Sequence, residues 1–288
     1  MIFGSGKYRY KAVAGWGGGP DGWEFGIVSS MATDSQDRVH VIDRQPNPAI
    51  VVLDRDGVLQ RTWGQDFFLE PHSIWIDQDD LIYITDCELH TVTVHSPTGE
   101  LLFTLGTPNQ PGGLGKPFNE PTWVVRANDG DFYVSDGHGQ NYVHRFSADG
   151  ELLNTWGGSG TEPGQFDLPH CLRVDSRDRV LVIDRTNERV QIFDKEGNFL
   201  DEWTSFATAN DLYIDGDDVV YLAEAPRRIS ILDLDGNLIT QLGEEGAAPG
   251  QMIDHPHGIW VDSRGDIYMC EVPFTPNRIT KYERITGS

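Results

Sequence analysis

Apolar and polar residues alternate in short runs along almost the whole chain, as in Val39-His40-Val41-Ile42-Asp43, Arg189-Val190-Gln191-Ile192-Phe193 and Asp266-Ile267-Tyr268-Met269. A period of two sends successive side chains to opposite faces of a strand. Between runs lie short turns that end in glycine: Asp54-Arg55-Asp56-Gly57, Ser96-Pro97-Thr98-Gly99, Ser147-Ala148-Asp149-Gly150, Asp194-Lys195-Glu196-Gly197 and Asp233-Leu234-Asp235-Gly236. Runs joined in this way predict antiparallel hairpins. No segment keeps a helical apolar period for three turns. The unit recurs at a period of about 40 to 50 residues with four strands in each, the sequence sign of a β-propeller.

Six copies align on their opening segments. Three share a Pro-His start: Pro71-His72-Ser73-Ile74-Trp75-Ile76-Asp77, Pro169-His170-Cys171-Leu172-Arg173-Val174-Asp175 and Pro256-His257-Gly258-Ile259-Trp260-Val261-Asp262. Ser29-Ser30-Met31-Ala32-Thr33-Asp34, Pro121-Thr122-Trp123-Val124-Val125 and Ala209-Asn210-Asp211-Leu212-Tyr213-Ile214-Asp215 are related copies without the histidine. Each copy has an acid fourteen positions after its opening residue, in the pairs Ser29/Asp43, His72/Asp86, Thr122/Asp136, His170/Asp184, Asn210/Glu224 and His257/Glu271. The predicted fold is an all-β, six-bladed β-propeller in a single domain, residues 1–288. Its blades cover 27–70, 71–120, 121–168, 169–207 and 208–255, with the sixth made from 256–285 and 8–17. Five copies end in a fourth strand such as Arg61-Thr62-Trp63-Gly64, whereas the sixth stops at Arg278-Ile279-Thr280-Lys281-Tyr282-Glu283. Lys11-Ala12-Val13-Ala14-Gly15-Trp16-Gly17 supplies the missing strand, so the N-terminus is expected to complete the last blade and remove both open edges.

Composition narrows the function. The net charge of −23 opposes nucleic-acid binding, because phosphate contacts need clustered Lys and Arg. No run of like charge stands out, so the acidity reads as solubility. The first residues, Met1-Ile2-Phe3-Gly4-Ser5-Gly6-Lys7-Tyr8, lack the apolar core of a signal peptide, and no apolar stretch reaches membrane length. Three cysteines, Cys87, Cys171 and Cys270, cannot all pair within one chain, which fits a reduced, cytoplasmic protein. The expected partner is a small-molecule substrate, not nucleic acid or membrane, bound by a monomer or weak oligomer.

In a propeller blade the first strand runs down the central channel and the second returns beside it. A residue opening strand one and those just after the acid ending strand two therefore share one mouth. This places His72, His170 and His257 together with Arg44, Cys87, Gly137-His138, Arg185, Ala225 and Val272. Histidines in blades two, four and six lie about 120° apart in such a ring, an open tripod that leaves one position for water or substrate. Zn²⁺ is the first choice of ion, although Mn, Fe, Co and Ni bind the same ligands. The acids read as acceptors for neighbouring backbone N–H groups. Arg44 and Arg185, each in a Val-Ile-Asp-Arg motif, read either as ion-pair or stacking partners or as cationic clamps for a substrate. His138, in the glycine-rich loop Asp136-Gly137-His138-Gly139-Gln140-Asn141, is a candidate general base, with a fourth metal ligand as the competing reading. His255 is placed in the substrate pocket. His40, His90, His95 and His144 lie within strands and receive no role.

These motifs resemble the NHL-repeat propellers and, among them, the catalytic domain of peptidyl-α-hydroxyglycine α-amidating lyase. The likeness covers residues 10 to 285 and includes Val134-Ser135-Asp136-Gly137, Pro163-Gly164-Gln165-Phe166 followed by Leu168-Pro169-His170, and Pro256-His257. It implies a catalytic zinc on His72, His170 and His257 and active-site arginines at Arg44 and Arg185. It also implies a lyase that breaks the C–N bond of a carbinolamide to give an amide and glyoxylate. The chain departs from the family in having His138 for a catalytic tyrosine, His255 for a methionine and Gly139 for a loop cysteine. Gly258 replaces the aspartate that helps to hold a structural Ca²⁺, so that ion loses a ligand. A small α-hydroxyamide is therefore the expected substrate. A hydrolase of a lactone, amide or cyclic ketone using the same tripod, and a non-catalytic protein-binding scaffold, are the alternative functions.

Overall fold

The computed structural model describes residues 1–16, 25–44, 46–272 and 279–286. It is all-β, with the blades of a six-bladed β-propeller and no helix among the described residues. The chain divides into two units, residues 1–65 with 210–288, and residues 66–209. The first holds blades one, five and six, and the second holds blades two, three and four. No helix among the described residues is long and apolar enough to cross a membrane.

In the second unit, blade two is formed by Pro71–Ile76, Ile82–Asp86, Thr91–His95 and Leu101–Gly106. Blade three has Trp123–Arg126, Phe132–Asp136, Tyr142–Phe146 and Leu152–Gly157, and blade four has Pro169–Val174, Val180–Asp184, Arg189–Phe193 and Phe199–Trp203. Each is an antiparallel meander. The first three strands are largely buried, while the fourth exposes leucines such as Leu102, Leu153 and Leu200. Aromatic and branched side chains fill the space between the sheets, with Tyr83, Phe118, Phe132 and Val134 in one cluster and Tyr133, Phe166, Leu172 and Phe193 in another. The turns expected between strands three and four are present. Gly57, Gly99, Gly150, Gly197 and Gly236 all lie in the left-handed region, where a side chain would be strained.

In the first unit, blade one (Val28–Thr33, Val39–Asp43, Ala49–Leu53, Leu59–Trp63) and blade five (Ala209–Ile214, Val220–Glu224, Arg228–Leu232, Leu238–Leu242) have the same plan. Blade six has five strands in the spatial order Phe3–Ser5, Tyr8–Ala12, Ile279–Arg284, Ile267–Val272 and His255–Val261. The N-terminus thus completes the last blade as expected, but earlier in the sequence than Lys11–Gly17. The pairing is Tyr10 with Arg284, Lys11 with Glu283 and Ala12 with Tyr282, and Gly17 lies outside the described residues. The alternation of Phe3, Tyr8 and Tyr10 decides this register. All three are buried against Tyr221, Met252 and Tyr282, whereas Lys11 faces solvent.

Deleting residues 1–12 should expose the Ile279–Arg284 edge and remove three buried aromatics, a loss of about 5 kcal/mol or more at ~1.5–3 kcal/mol each. An unchanged urea midpoint in the truncated protein would refute this closure. Stability should also fall in mild acid. Burial pushes His95 down to about 4, against a raising hydrogen bond to the Gly99 carbonyl, and burial lowers His40 as well. The unfolded histidine takes up a proton near ~6.5 and the folded one does not, so stability is complete above that pH and declines as pH falls towards 4. Urea midpoints measured from pH 7 to pH 4.5 should show a shallower decline in His95→Gln.

Candidate functional site

The three Pro-His segments have one local geometry. Pro71 pairs with Asp86 and Ser73 with Thr85, leaving His72 as an extra residue in a β-bulge. His170 stands in the same way between the pairs Pro169/Asp184 and Cys171/Ile183, and His257 between Pro256/Glu271 and Gly258/Cys270. A bulge re-aims the side chain it carries, and these three are buried, with relative exposures of 1%, 2% and 7%. The acid opposite each proline holds the incoming loop. Asp86 accepts the Leu69 and Glu70 amides, Asp184 that of Asp167, and Glu271 those of Ile253 and Asp254. The acids are therefore structural acceptors, as their regular spacing suggested. Burial pushes the Asp184 carboxyl up, opposed by Asn187, the Asp167 amide and Arg189.

Within the second unit, the copy without histidine links its two neighbours. His72 Nδ1 donates to the Thr122 carbonyl at 2.8 Å, and the Thr122 hydroxyl lies 2.8 Å from the Pro169 carbonyl, just before His170. The first unit repeats this logic. His257 Nδ1 donates to the Ser29 carbonyl at 2.7 Å, and Asn210 Nδ2 donates to the Pro256 carbonyl at 2.7 Å. A carbonyl only accepts, so Nδ1 of His72 and of His257 carries a proton, and Nε2 is the nitrogen not engaged by that contact. Ser29, Thr122 and Asn210 were read from the sequence only as copies lacking histidine. The signal available was that all three are polar.

His138 lies in the second unit with His72 and His170. Its ring centroid is 4.7 Å from that of His72, nearly edge-on at 88°, and 5.7 Å from that of His170. The His72 and His170 rings are 4.8 Å apart. His138 is exposed where the other two are buried, and its Nδ1 is 3.5 Å from Cys87 Sγ. The loop reaches this place because Gly137 packs on blade four, where a Cβ would lie 2.2 Å from the Pro169 carbonyl oxygen. Gln140 ties the same loop to Gly115, Lys116 and Asp136. Arg185 is half-buried in this unit, its amide bonded to the Leu168 carbonyl, and burial pulls its guanidinium pKa down.

In the first unit Arg44 is half-buried and its amide donates to the Ile27 carbonyl, the counterpart of the Arg185 contact. His255 Nδ1 donates to the Pro226 carbonyl at 3.2 Å, which turns this ring towards the strand-two exit of blade five. Gly258 has no room for an aspartate, since a Cβ there would lie 2.9 Å from Cys270 Sγ and 3.1 Å from Ser30 Cα. His144, given no role from sequence, donates from Nε2 to Asp136 and so supports the acid that holds the Asn119 amide.

An NHL-repeat model matches residues 166–193. The chain is 34% identical over 216 residues to human NHL repeat-containing protein 3, covering 70% of this chain and 62% of that protein. It is 34% identical over 149 residues to peptidyl-alpha-hydroxyglycine alpha-amidating lyase 1 of Drosophila melanogaster, covering 48% of this chain and 27% of that one. The chain thus spans less than two thirds of either relative. Among solved structures, a gluconolactonase from Xanthomonas campestris has a TM-score of 0.68 at 12% identity, covering 90% of this chain and 86% of that one, a likeness of fold.

Thr122→Val tests the link between blades. It keeps the carbonyl that receives His72 but leaves the Pro169 carbonyl without the hydroxyl, which should cost about 1–3 kcal/mol in urea unfolding. A variant as stable as the parent would show that the hydroxyl contributes nothing.

Proposed function

We propose that this chain is a metal-dependent lyase that cleaves the C–N bond of a small α-hydroxyamide, with His72, His170 and His257 as the ligands of one divalent ion. The observation that carries the reading is the triple recurrence of a buried histidine on the same Pro-His bulge. The donor chemistry suits a metal, since each of the three is a buried imidazole on the same bulge and, in His72 and His257, Nδ1 is already committed to a carbonyl. Three neutral nitrogen donors suit zinc and leave one position for an exchangeable ligand. The similarity to a named amidating lyase supports the reaction class.

When bound, the ion supplies Lewis acidity that lowers the pKa of a hydroxyl at the open position. The chain's own groups do the rest. His138 accepts the substrate hydroxyl proton. The oxygen lone pair closes to a carbonyl as the C–N bond breaks, and its electron pair leaves with nitrogen. The proton returns from His138 to that nitrogen, giving an amide and a carbonyl compound, so atoms and charge balance. Arg185 and Arg44 hold the carbonyl or an adjoining carboxylate, and the fixed guanidinium geometry suits either. His255 borders the substrate.

Purified full-length protein should contain one zinc or similar ion per chain. Each of His72→Ala, His170→Ala and His257→Ala should lower metal content and turnover of an α-hydroxyamide together, and their effects should be far from additive when combined. Full metal in any one variant removes that histidine from the ligand set. His138→Gln should keep its metal and lose about 10²–10⁴ in rate. Loss of the metal instead would make His138 a fourth ligand, and turnover of lactones but not hydroxyamides would make the protein a hydrolase.

A further inference from the structure

We propose that Cys87 is a positioning residue whose thiol fixes the tautomer of His138, so that Nε2 is the nitrogen able to accept a proton. The catalytic consequence rests on the base role given to His138 above, whereas the tautomer rests on geometry alone. Cys87 is buried at 2% exposure and directly follows Asp86, the place that Arg44 and Arg185 occupy after their own acids. Its amide donates to the Glu70 carbonyl at 3.0 Å. Its Sγ lies 3.3 Å from the Pro121 carbonyl oxygen and 3.5 Å from His138 Nδ1.

One proton arrangement satisfies these two contacts of the sulfur together. A carbonyl oxygen can only accept, so the single thiol proton goes to Pro121. The sulfur then offers lone pairs, and its contact with the imidazole is attractive only when Nδ1 carries the hydrogen. A neutral imidazole has one N–H, which leaves Nε2 bare. The reverse arrangement, S–H to Nδ1, would set sulfur lone pairs against the Pro121 oxygen at contact distance and put the ring proton on Nε2. Both partners are held by backbone. The His138 amide donates to the Glu120 carbonyl at 3.3 Å, and Gly137 seats the loop against Pro169. His138 therefore follows the rule of His72 and His257, with Nδ1–H given away and Nε2 presented, but its acceptor is a thiol. A thiol accepts more weakly than a carbonyl, so it fixes the ring with less constraint on its movement.

The test uses zinc-loaded, full-length protein labelled with ¹⁵N-histidine, with the His138 signals assigned by their loss in His138→Gln. Long-range ¹H–¹⁵N correlations should show a protonated Nδ1 and a bare Nε2 in the parent and in Cys87→Ser, whose hydroxyl can replace both contacts. Cys87→Ala should show a mixture of tautomers, with kcat towards an α-hydroxyamide down about tenfold, KM nearly unchanged and metal content intact, and the serine variant should restore the rate. A protonated Nε2 in the parent, or a tautomer unmoved in Cys87→Ala, would overturn the proposal. The inferred tautomer combined with full turnover in His138→Gln would support the thiol contact and refute the base role instead.

Discussion

A strand that opens on proline brings no N–H to its first pairing, and the chain just before it has amides that need acceptors away from water. The carboxylate fourteen positions after the opening residue meets that need, and the rest of the site depends on this clamp. Asp86 and Glu271 each take two amides of the incoming loop, while Asp43, Asp136 and Asp184 accept the amides of Gly26, Asn119 and Asp167. These bonds are part-buried, so losing one costs less than the ~1–3 kcal/mol of a fully buried unpaired amide, but repeated around the blades they still weigh in a marginal stability. They also set direction. With the loop held on one side and the ladder resuming on the other, one residue is left over, and in blades two, four and six it is the histidine.

Covalent counting made much of this legible. Two strands and a turn return the chain to where it began, so a fixed interval between opening residue and acid was enough to assign blades, acids and candidate ligands. Contacts between copies were harder, because they join residues far apart in sequence. Nothing local in Thr122 shows that its carbonyl receives His72 and that its hydroxyl reaches Pro169, fifty and forty-seven positions away. The start of the closing strand was displaced for a related reason. Alternation at Lys11–Gly17 and at Tyr8–Ala12 competes, and burial of Tyr8 and Tyr10 against blade-six partners settles it. His144 was passed over because a histidine in a strand looks the same whether or not a carboxylate waits beside it.

Metal-ligand candidates and substrate-side candidates sit on different kinds of structure. His72, His170 and His257 are on strands whose neighbours are buried and hydrogen-bonded, whereas His138 is exposed on a glycine-rich loop. Strands hold a ligand set within the tolerance coordination demands, and loops accept substitution without disturbing the core. The departures from the lyase pattern at His138 and Gly139 fall on that loop, and Gly258 falls where a side chain has no space. A scaffold can therefore stay recognisable while the groups facing the substrate change.

The alternation of histidine copies with histidine-free copies also has a physical reason. In the second unit a histidine needs the next copy's carbonyl to take its Nδ1 proton, and the proline before the following histidine has a carbonyl that needs a donor. Thr122 supplies both at once, the carbonyl from its backbone and the donor from its side chain. In the first unit the two tasks appear at Ser29, whose carbonyl receives His257, and at Asn210, whose amide reaches Pro256. A histidine in place of Thr122 or Asn210 would turn a ring with its own orienting needs into a position that must donate to a proline carbonyl at hydrogen-bond distance. It would then lose either its own orientation or its neighbour's. Within the second unit the copy between two histidine copies thus does two jobs at once, orienting the ring before it and engaging the proline carbonyl that precedes the ring after it, and it can do both because it carries a short hydroxyl side chain in place of an imidazole.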